Sequence, residues 1–334
     1  MTILSIIAHR GASAVAPENT LSAFRMARDV GADGFETDVQ LTRDGVPVIA
    51  HNYSIDAVSD GSGLISEMTY AELRGYDFGS WFGEAFRGER IATLRECLDA
   101  GKDYRVVNIE LKAPADRSVP YAAPVADAIA SSGFAGNVIV SSFDHSLLRE
   151  VKDSHPEIRV GILVPPYMPA TERILAACFP EEKSLDSVTV DDVTLPDDMS
   201  AIEGLGIRAD DPRQAMTEFG RGIGAIYPGL PAGEVLELRR RQADLCSYVR
   251  EIGFKVDFVH CHFTSCLNDP DLIGRLRSMG IGVNVWTPDS AEELRALIPQ
   301  GPDGIITDRP DILRDLLSRT VPRERRQSTK PIAR

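Results

Sequence analysis

Long apolar runs are missing from this sequence of 334 residues. No stretch approaches the roughly 18 consecutive apolar residues that cross a bilayer, so no membrane span is expected. Cysteine is scarce: five residues (Cys97, Cys178, Cys246, Cys261, Cys266), odd in number and irregular in spacing. Such a set makes no disulfide framework and fits a reducing compartment. Positive charge is sparse outside the C-terminus. Residues 319–334 hold six Lys/Arg (Arg319, Arg323, Arg325, Arg326, Lys330, Arg334) against Glu324, a net +5, which leaves −19 on the rest of a chain whose total is −14. A body this acidic repels nucleic acid and anionic lipid, and neither is expected as a partner; the basic tail reads as a frayed, solvating terminus. Residues 1–8 have neither the basic lead nor the long apolar stretch of a secretory signal, so the expected location is the cytoplasm. Internal repeats and low-complexity tracts are absent as well. What remains, 43% hydrophobic and 26% charged, is the make-up of a soluble globular chain with ample material for a core.

Eight short apolar runs stand out, at 6–8, 34–39, 106–111, 138–140, 159–164, 256–260, 281–286 and 304–307. Helical patterns lie between most of them: 19–30, with Leu21, Phe24 and Ala27 on one face, then 93–100, 121–132, 146–154, 269–279, 290–297 and 312–317. Continuously apolar strands alternating with helices imply a parallel sheet covered on its outer side. Eight such units imply a closed (β/α)8 TIM barrel. The alternative, an open doubly wound sheet, lacks its phosphate fingerprint, G-x-G-x-x-G after the first strand. Two segments break the rhythm. Residues 53–92 are rich in Gly, Ser and aromatics, and 165–255 supply about 90 residues where a connection with its helix needs far fewer. Both read as insertions over the barrel mouth of a single domain spanning 1–318, and 165–255 is also a candidate oligomer contact.

Barrel chemistry sits at the C-terminal ends of the strands. There the sequence places His9-Arg10-Gly11 after the first run, Glu36 and Asp38 in the second, and Glu110 and Lys112 in the third. A hairpin after the second run (42–45, then 46–50) delivers His51. Residues two apart on a strand share a face at ~7 Å, and neighbouring strands lie ~5 Å apart. With these faces inward, three carboxylates converge in one mouth, where like charges cannot all stay ionised unaided. A divalent cation is the natural remedy, and an all-oxygen set selects Mg²⁺ or Ca²⁺ over zinc. His9 and His51 flank that centre as an acid/base pair. Arg10 and Lys112 add fixed positive charge, the one able to grip a phosphate oxygen bidentately, the other a point charge. Together they suit an anionic phosphoryl group, and phosphodiester cleavage follows as the reaction class.

These residues belong to a longer ordered series: His9-Arg10-Gly11, Pro17-Glu18-Asn19-Thr20, Ala23-Phe24, Gly31-Ala32-Asp33, Glu36-x-Asp38-Val39, Thr42-x-Asp44-Gly45 and His51. Thr93-Leu94, Glu110-Leu111-Lys112, Ser142-Phe143, Trp286-Thr287 and Asp303-Gly304-Ile305-Ile306-Thr307-Asp308-x-Pro310 follow. The series closely resembles the glycerophosphodiester phosphodiesterase family, over residues 5–164 and 256–317. The resemblance implies a (β/α)8 barrel that hydrolyses glycerophosphodiesters to glycerol 3-phosphate and an alcohol. It implies metal ligands at Glu36, Asp38 and Glu110, acid/base histidines at His9 and His51, and phosphate contacts at Arg10 and Lys112. It sets Trp286 against the substrate's glycerol moiety. Attack by water and attack by a neighbouring substrate hydroxyl, giving a cyclic phosphate, both stay open.

The chain departs from the family in three places. Asn52 stands where Asp usually follows the second histidine, Ala92 where Pro precedes Thr-Leu, and 165–255 is larger than in simple bacterial members. The last keeps open a bulkier substrate, including a sugar phosphodiester of the agrocinopine type. A transferase or lyase on the same barrel is the other alternative; a silent binding protein would not need His9, His51, Glu36, Asp38 and Glu110 together. His260, Cys261, His262 and Cys266 fit no zinc spacing, and in an extended strand the histidines face away from Cys261. The expectation is that one histidine, His260, points into the mouth and contacts substrate. Asp308, before Pro310, reads as a helix N-cap, and His145 and His155 as surface or helix-end residues.

Overall fold

Eight parallel strands close on themselves. This computed structural model describes residues 4–114, 116, 118–165, 226–227 and 230–320. β1 (Ser5–Ala8) pairs with β2 (Gly34–Leu41) on one side and β9 (Gly304–Thr307) on the other. β4 (Val106–Leu111), β5 (Val138–Ser142), β6 (Arg159–Val164), β7 (Phe258–His262) and β8 (Gly282–Trp286) complete the ring, each parallel to the next. The fold is therefore the (β/α)8 barrel, and pairing of the first strand with the last excludes the open sheet. β3 (Pro47–Ile49) stands outside the ring, antiparallel to β2.

Strand alternation divides the ring into two faces. Ala8, Phe35, Val39, Val107, Ile109, Val140, Ile162, Val259, Val285 and Ile305 point outward into the continuous core shared with the helices. Ile7, Val106, Ile139 and Ile306 form a separate cluster inside, with Phe258 and Trp286 packed against it. Each fully buried aliphatic side chain contributes roughly 1.5–3 kcal/mol, so both faces of the strands hold the ring together. Gly34 allows β2 to approach β4, since a Cβ there would lie 2.0 Å from the Val106 carbonyl oxygen.

The helices start where the sequence supplies caps. The Thr20 hydroxyl accepts from Ala23 N–H to open α1 (Leu21–Asp29), and Thr93 with Glu96 forms a capping box on α3 (Leu94–Gly101). A short helix that was not expected, α8 (Phe263–Asn268), precedes the one that the pattern at 269–279 forms, α9 (Leu272–Ser278). Pro270 cannot continue a helix and disfavours the helical conformation at Asp269, which sits at φ −135° and ψ 84°, and this sets the break between the two. β7 runs two residues further than expected, so His262 rather than His260 ends it.

The 53–92 segment carries α2 (Tyr70–Leu73) and builds a small core of its own. Ile55, Ile65, Leu73, Phe78 and Ile91 pack there with Val48 and Ala50 of the β2–β3 hairpin. Of the second expected insertion, 166–225 and 228–229 lie outside the described residues, as do 321–334 of the basic tail. Its described end is barrel wall: α6 (Ala232–Gln242) leads into α7 (Leu245–Glu251), which buries Leu245, Tyr248 and Val249 in the main core. No helix among the described residues is long and apolar enough to cross a membrane.

Candidate active site

The chain leaves β1 through a sharp turn, with Arg10 at φ 54° and Gly11 at φ 80°. Glycine is required at the second position: a Cβ would fall 2.6 Å from that of Ala23. A left-handed arginine is uncommon and carries local strain. Its effect is to turn the Arg10 N–H onto Glu36 Oε2 at 3.0 Å and to lead its guanidinium inward. Arg10 Nη1 donates to both Glu18 oxygens, at 3.1 and 3.2 Å, and Nε lies 3.7 Å from Asp38 Oδ2.

β2 and β4 supply the acidic groups. Glu36 and Asp38 share the inward face, and the register sets Asp38 opposite Glu110. One carboxylate oxygen of each lies within 4.8 Å of the others. Lys112 Nζ donates to Glu110 Oε1 at 3.0 Å and sits 3.9 Å from Asp38 Oδ1. Asn19, itself at φ 58°, donates to Asp38 Oδ2 at 2.9 Å and accepts from the Thr37 hydroxyl at 2.7 Å. The Pro17-Glu18-Asn19-Thr20 motif thus positions two site residues, Glu18 holding Arg10 and Asn19 holding Asp38, roles not read from the sequence.

The two imidazoles are held differently. His9 Nδ1 bonds Asp308 Oδ1 at 2.6 Å and its Nε2 faces Glu36 Oε2 at 3.8 Å. His51 comes from the β2–β3 hairpin, where Gln40 Nε2 donates to the carbonyls of Ala50, His51 and Asn52 at 2.9, 3.2 and 2.8 Å. His51 Nδ1 lies 3.0 Å from Asn52 Oδ1, so the departure at Asn52 gives this ring an amide partner instead of a carboxylate. Asp308 is not the N-cap expected. The last helix, α11 (Pro310–Thr320), begins after Arg309, and the Asp308 carboxylate is spent on His9 and the Ser13 hydroxyl.

A cavity of about 310 Å³ gathers His9, Arg10, Glu36, His51, Glu110, Lys112 and Trp286, with Asn108, Phe143, Leu163, Ile226, Thr287 and Ile306 completing its wall. Asp38, 1% exposed, stands directly behind. Trp286 meets Phe143 edge-on at 5.6 Å and fixes its indole N–H on the His260 carbonyl at 3.0 Å. His260 is a correction: it is fully buried and does not line the cavity. Its ring fills the space left by Gly161, where a Cβ would meet Nε2 at 2.4 Å, and Nε2 faces the Asn284 amide at 3.3 Å. The histidine exposed at the end of β7 is His262, whose ring meets Trp286 edge-on at 4.8 Å. His145 opens the helix His145–Ser154, the helix-end setting expected, but it is not at the surface: it is buried between the Tyr248 hydroxyl (2.6 Å) and the Leu163 carbonyl (3.0 Å). His155 keeps its place at a helix end, between Asp127 and Glu157. Cys261 faces the outer core with Cys246 and Cys266, away from both histidines.

Charge crowding sets the electrostatics. Burial and the neighbouring Asp38 push the Glu36 carboxyl up to about 8, and Glu110 moves the same way for the same reasons. Burial acts upward on Asp38 too, but His51, Lys112, Arg10 and the Asn19 amide together hold it below the ordinary range. Burial presses on His9, but the Asp308 hydrogen bond and the Glu36 charge outweigh it and leave the ring above its ordinary value. For His51 the balance reverses: burial, with Lys112 and Arg10 nearby, outweighs the Asp38 charge and the Asn52 bond and pushes the ring down to about 3.

Several buried polar side-chain atoms have no hydrogen-bond partner among the described residues, and two of them belong to charged groups of the site: Asp38 Oδ1, an acceptor, and Arg10 Nε, a donor. Buried polar groups are normally satisfied. Here the acceptor belongs to the cluster of three carboxylates and fits a bound cation; the donor fits an anion's oxygen. Among the described residues, Glu36, Asp38 and Glu110 are the only grouping able to hold a metal ion, and their oxygens suit a hard divalent one.

A parallel barrel with such a mouth belongs to the phosphodiesterase type. The chain is a member of the glycerophosphoryl diester phosphodiesterase family, whose model matches residues 9–203 and 230–312. It is 42% identical over 160 residues to a glycerophosphodiester phosphodiesterase of Caldanaerobacter subterraneus subsp. tengcongensis, covering 47% of this chain and 65% of the relative. A glycerophosphodiester phosphodiesterase of Bacillus altitudinis is 35% identical over 160 residues, with 47% and 65% covered. The alignments thus span just under two thirds of these relatives. Among solved structures, an Oleispira antarctica phosphodiesterase in complex with the product sn-glycerol-3-phosphate shares the fold, with a TM-score of 0.63 and 23% identity over 94% of this chain and 96% of that one.

Proposed function

We propose that this protein hydrolyses a glycerophosphodiester to glycerol 3-phosphate and an alcohol. The observation that carries the reading is that two buried charged groups of the cluster around the cavity both imidazoles line keep an atom without a hydrogen-bond partner, an acceptor on Asp38 and a donor on Arg10. A divalent cation, Mg²⁺ or Ca²⁺, held by Glu36, Asp38 and Glu110, supplies Lewis-acid polarisation of a phosphoryl oxygen when bound. Arg10 and Lys112 hold the phosphate oxygens, and Trp286 gives the glycerol carbons a flat apolar wall. The amide partner of His51 fixes its tautomer and stabilises the cation less than a carboxylate would, which suits Nε2 to take a proton from the attacking oxygen. The carboxylate partner of His9 stabilises the imidazolium, which suits it to give a proton to the leaving alcohol oxygen. Support also comes from the family membership and from the product-bound relative of the same fold.

The test is phosphorus NMR of purified protein incubated with glycerophosphocholine, glycerophosphoethanolamine, glycerophosphoglycerol and sugar phosphodiesters. A phosphomonoester resonance is expected, lost with EDTA and restored by Mg²⁺ or Ca²⁺. A cyclic phosphate or new diester as end product, or no turnover of any diester, overturns the reading.

A further inference from the structure

A second cavity opens on the same mouth of the barrel, larger than the catalytic one at about 440 Å³. Lys112 lines both, so the two adjoin at the residue to which the proposed function gives the phosphate. Most polar side chains of the second cavity are engaged within the protein. Gln40 donates to three hairpin carbonyls, and the Thr42 hydroxyl bonds Asp44 at 2.6 Å. Tyr53 and Tyr121 give their hydroxyls to the carbonyls of Ala113 and Val39. Arg43 holds the Glu67 carbonyl and Glu72, and Asp116 accepts from Ser118. Beside these groups the walls carry the apolar and aromatic faces of Leu41, Tyr53, Leu64, Pro114, Val119 and Tyr121. Leu64 and Val119, on those walls, are 41% and 46% exposed, two of the four large hydrophobics left open among the described residues. Apolar side chains held open around a concavity mark a ligand site.

We propose that this groove receives an apolar part, an alkyl or aryl chain, of the alcohol released from the diester. The inference rests on the phosphodiesterase reading. With the phosphate at Lys112, one arm of the diester lies along Trp286 in the catalytic cavity and the other enters the groove. The chain would then favour diesters of apolar alcohols over those of small charged ones.

The experiment is kcat/KM across glycerophospho-n-alkyl esters from methyl to octyl. In the wild type it rises about two- to fourfold per methylene until the groove is filled, the value of burying each CH₂. Leu64→Asp and Val119→Asp, made separately at exposed positions, cut the octyl-to-methyl ratio by roughly tenfold. A flat wild-type series, with the methyl ester still hydrolysed, overturns the groove and leaves the phosphodiesterase reading standing. No ester hydrolysed overturns that reading itself. A flat series together with loss of a dimer on size exclusion in Leu64→Asp assigns the groove to a second copy of the chain and also overturns the proposal.

Discussion

Replacing Asp308 by Asn keeps the shape of the contact with His9 and removes its charge. The bond is short, 2.6 Å from Nδ1 to Oδ1. A hydrogen bond to a charged group contributes ~1.5–3 kcal/mol. The Asp308 side chain is 42% exposed, so solvent screening takes the effect to the lower end, ~1–2 kcal/mol. If His9 donates its proton to the leaving oxygen, that energy is lost from the transition state, and kcat/KM on a glycerophosphodiester falls about 5- to 30-fold. The pH profile adds a readout that folding defects do not move. His9 must be protonated, so activity is lost as pH rises through its pKa; without the carboxylate that pKa drops, and the alkaline limb moves to lower pH. Ser13→Ala, which removes only the 3.0 Å bond steadying the carboxylate, has a smaller effect in the same direction. Activity within twofold of wild type and an unmoved alkaline limb would refute the assignment. So would a loss matched by an equal fall in Tm.

Three further outcomes follow from the same electrostatics. Asn52→Asp gives His51 a carboxylate partner in place of an amide, worth ~1 kcal/mol more when the ring is charged, so the acid limb of kcat/KM moves up by about one pH unit; an unmoved limb counts against His51 as the base. Glu36, raised to about 8, holds its proton in the folded state at a pH where the unfolded chain releases it, so its contribution to stability is complete below about 4.5 and fades as pH rises towards 8. Glu36→Gln therefore unfolds at higher denaturant than wild type in EDTA at pH 7.5, by ~2–3 kcal/mol, while losing activity; a less stable variant contradicts the crowding argument. Burial pushes His145 down to about 4, so the unfolded state takes up a proton below 6.5 that the folded state refuses. Its contribution is intact above 6.5 and declines as pH falls towards 4, by about 2 kcal/mol at pH 5. Denaturant melts of wild type and His145→Gln should converge by that amount between pH 7.5 and 5; a constant gap refutes it.

The parts of the site legible in the sequence are those that local rules govern. Two-residue alternation sends Glu36 with Asp38, and Glu110 with Lys112, to the inner face, and the parallel register then brings the pairs together. What escaped the reading depends on contacts far apart along the chain. Asp308 looks like a cap from its neighbours, and only closure of the ring brings it to His9, 299 positions away. His145 has the setting of an exposed helix start, yet Tyr248, 103 positions on, covers it. His260 and His262 share an inward face, so alternation cannot choose between them. The glycine at 161 decides, leaving on the adjacent strand a space that the His260 ring fills.

Among the strands, β3, which leads to His51, pairs with β2 alone. Lengthening or shortening it would shift one imidazole relative to the other while every strand pairing of the ring stayed whole. The reach between proton acceptor and proton donor is thus an adjustable quantity in this architecture, open to change by insertion or selection without rebuilding the scaffold that carries the acidic cluster.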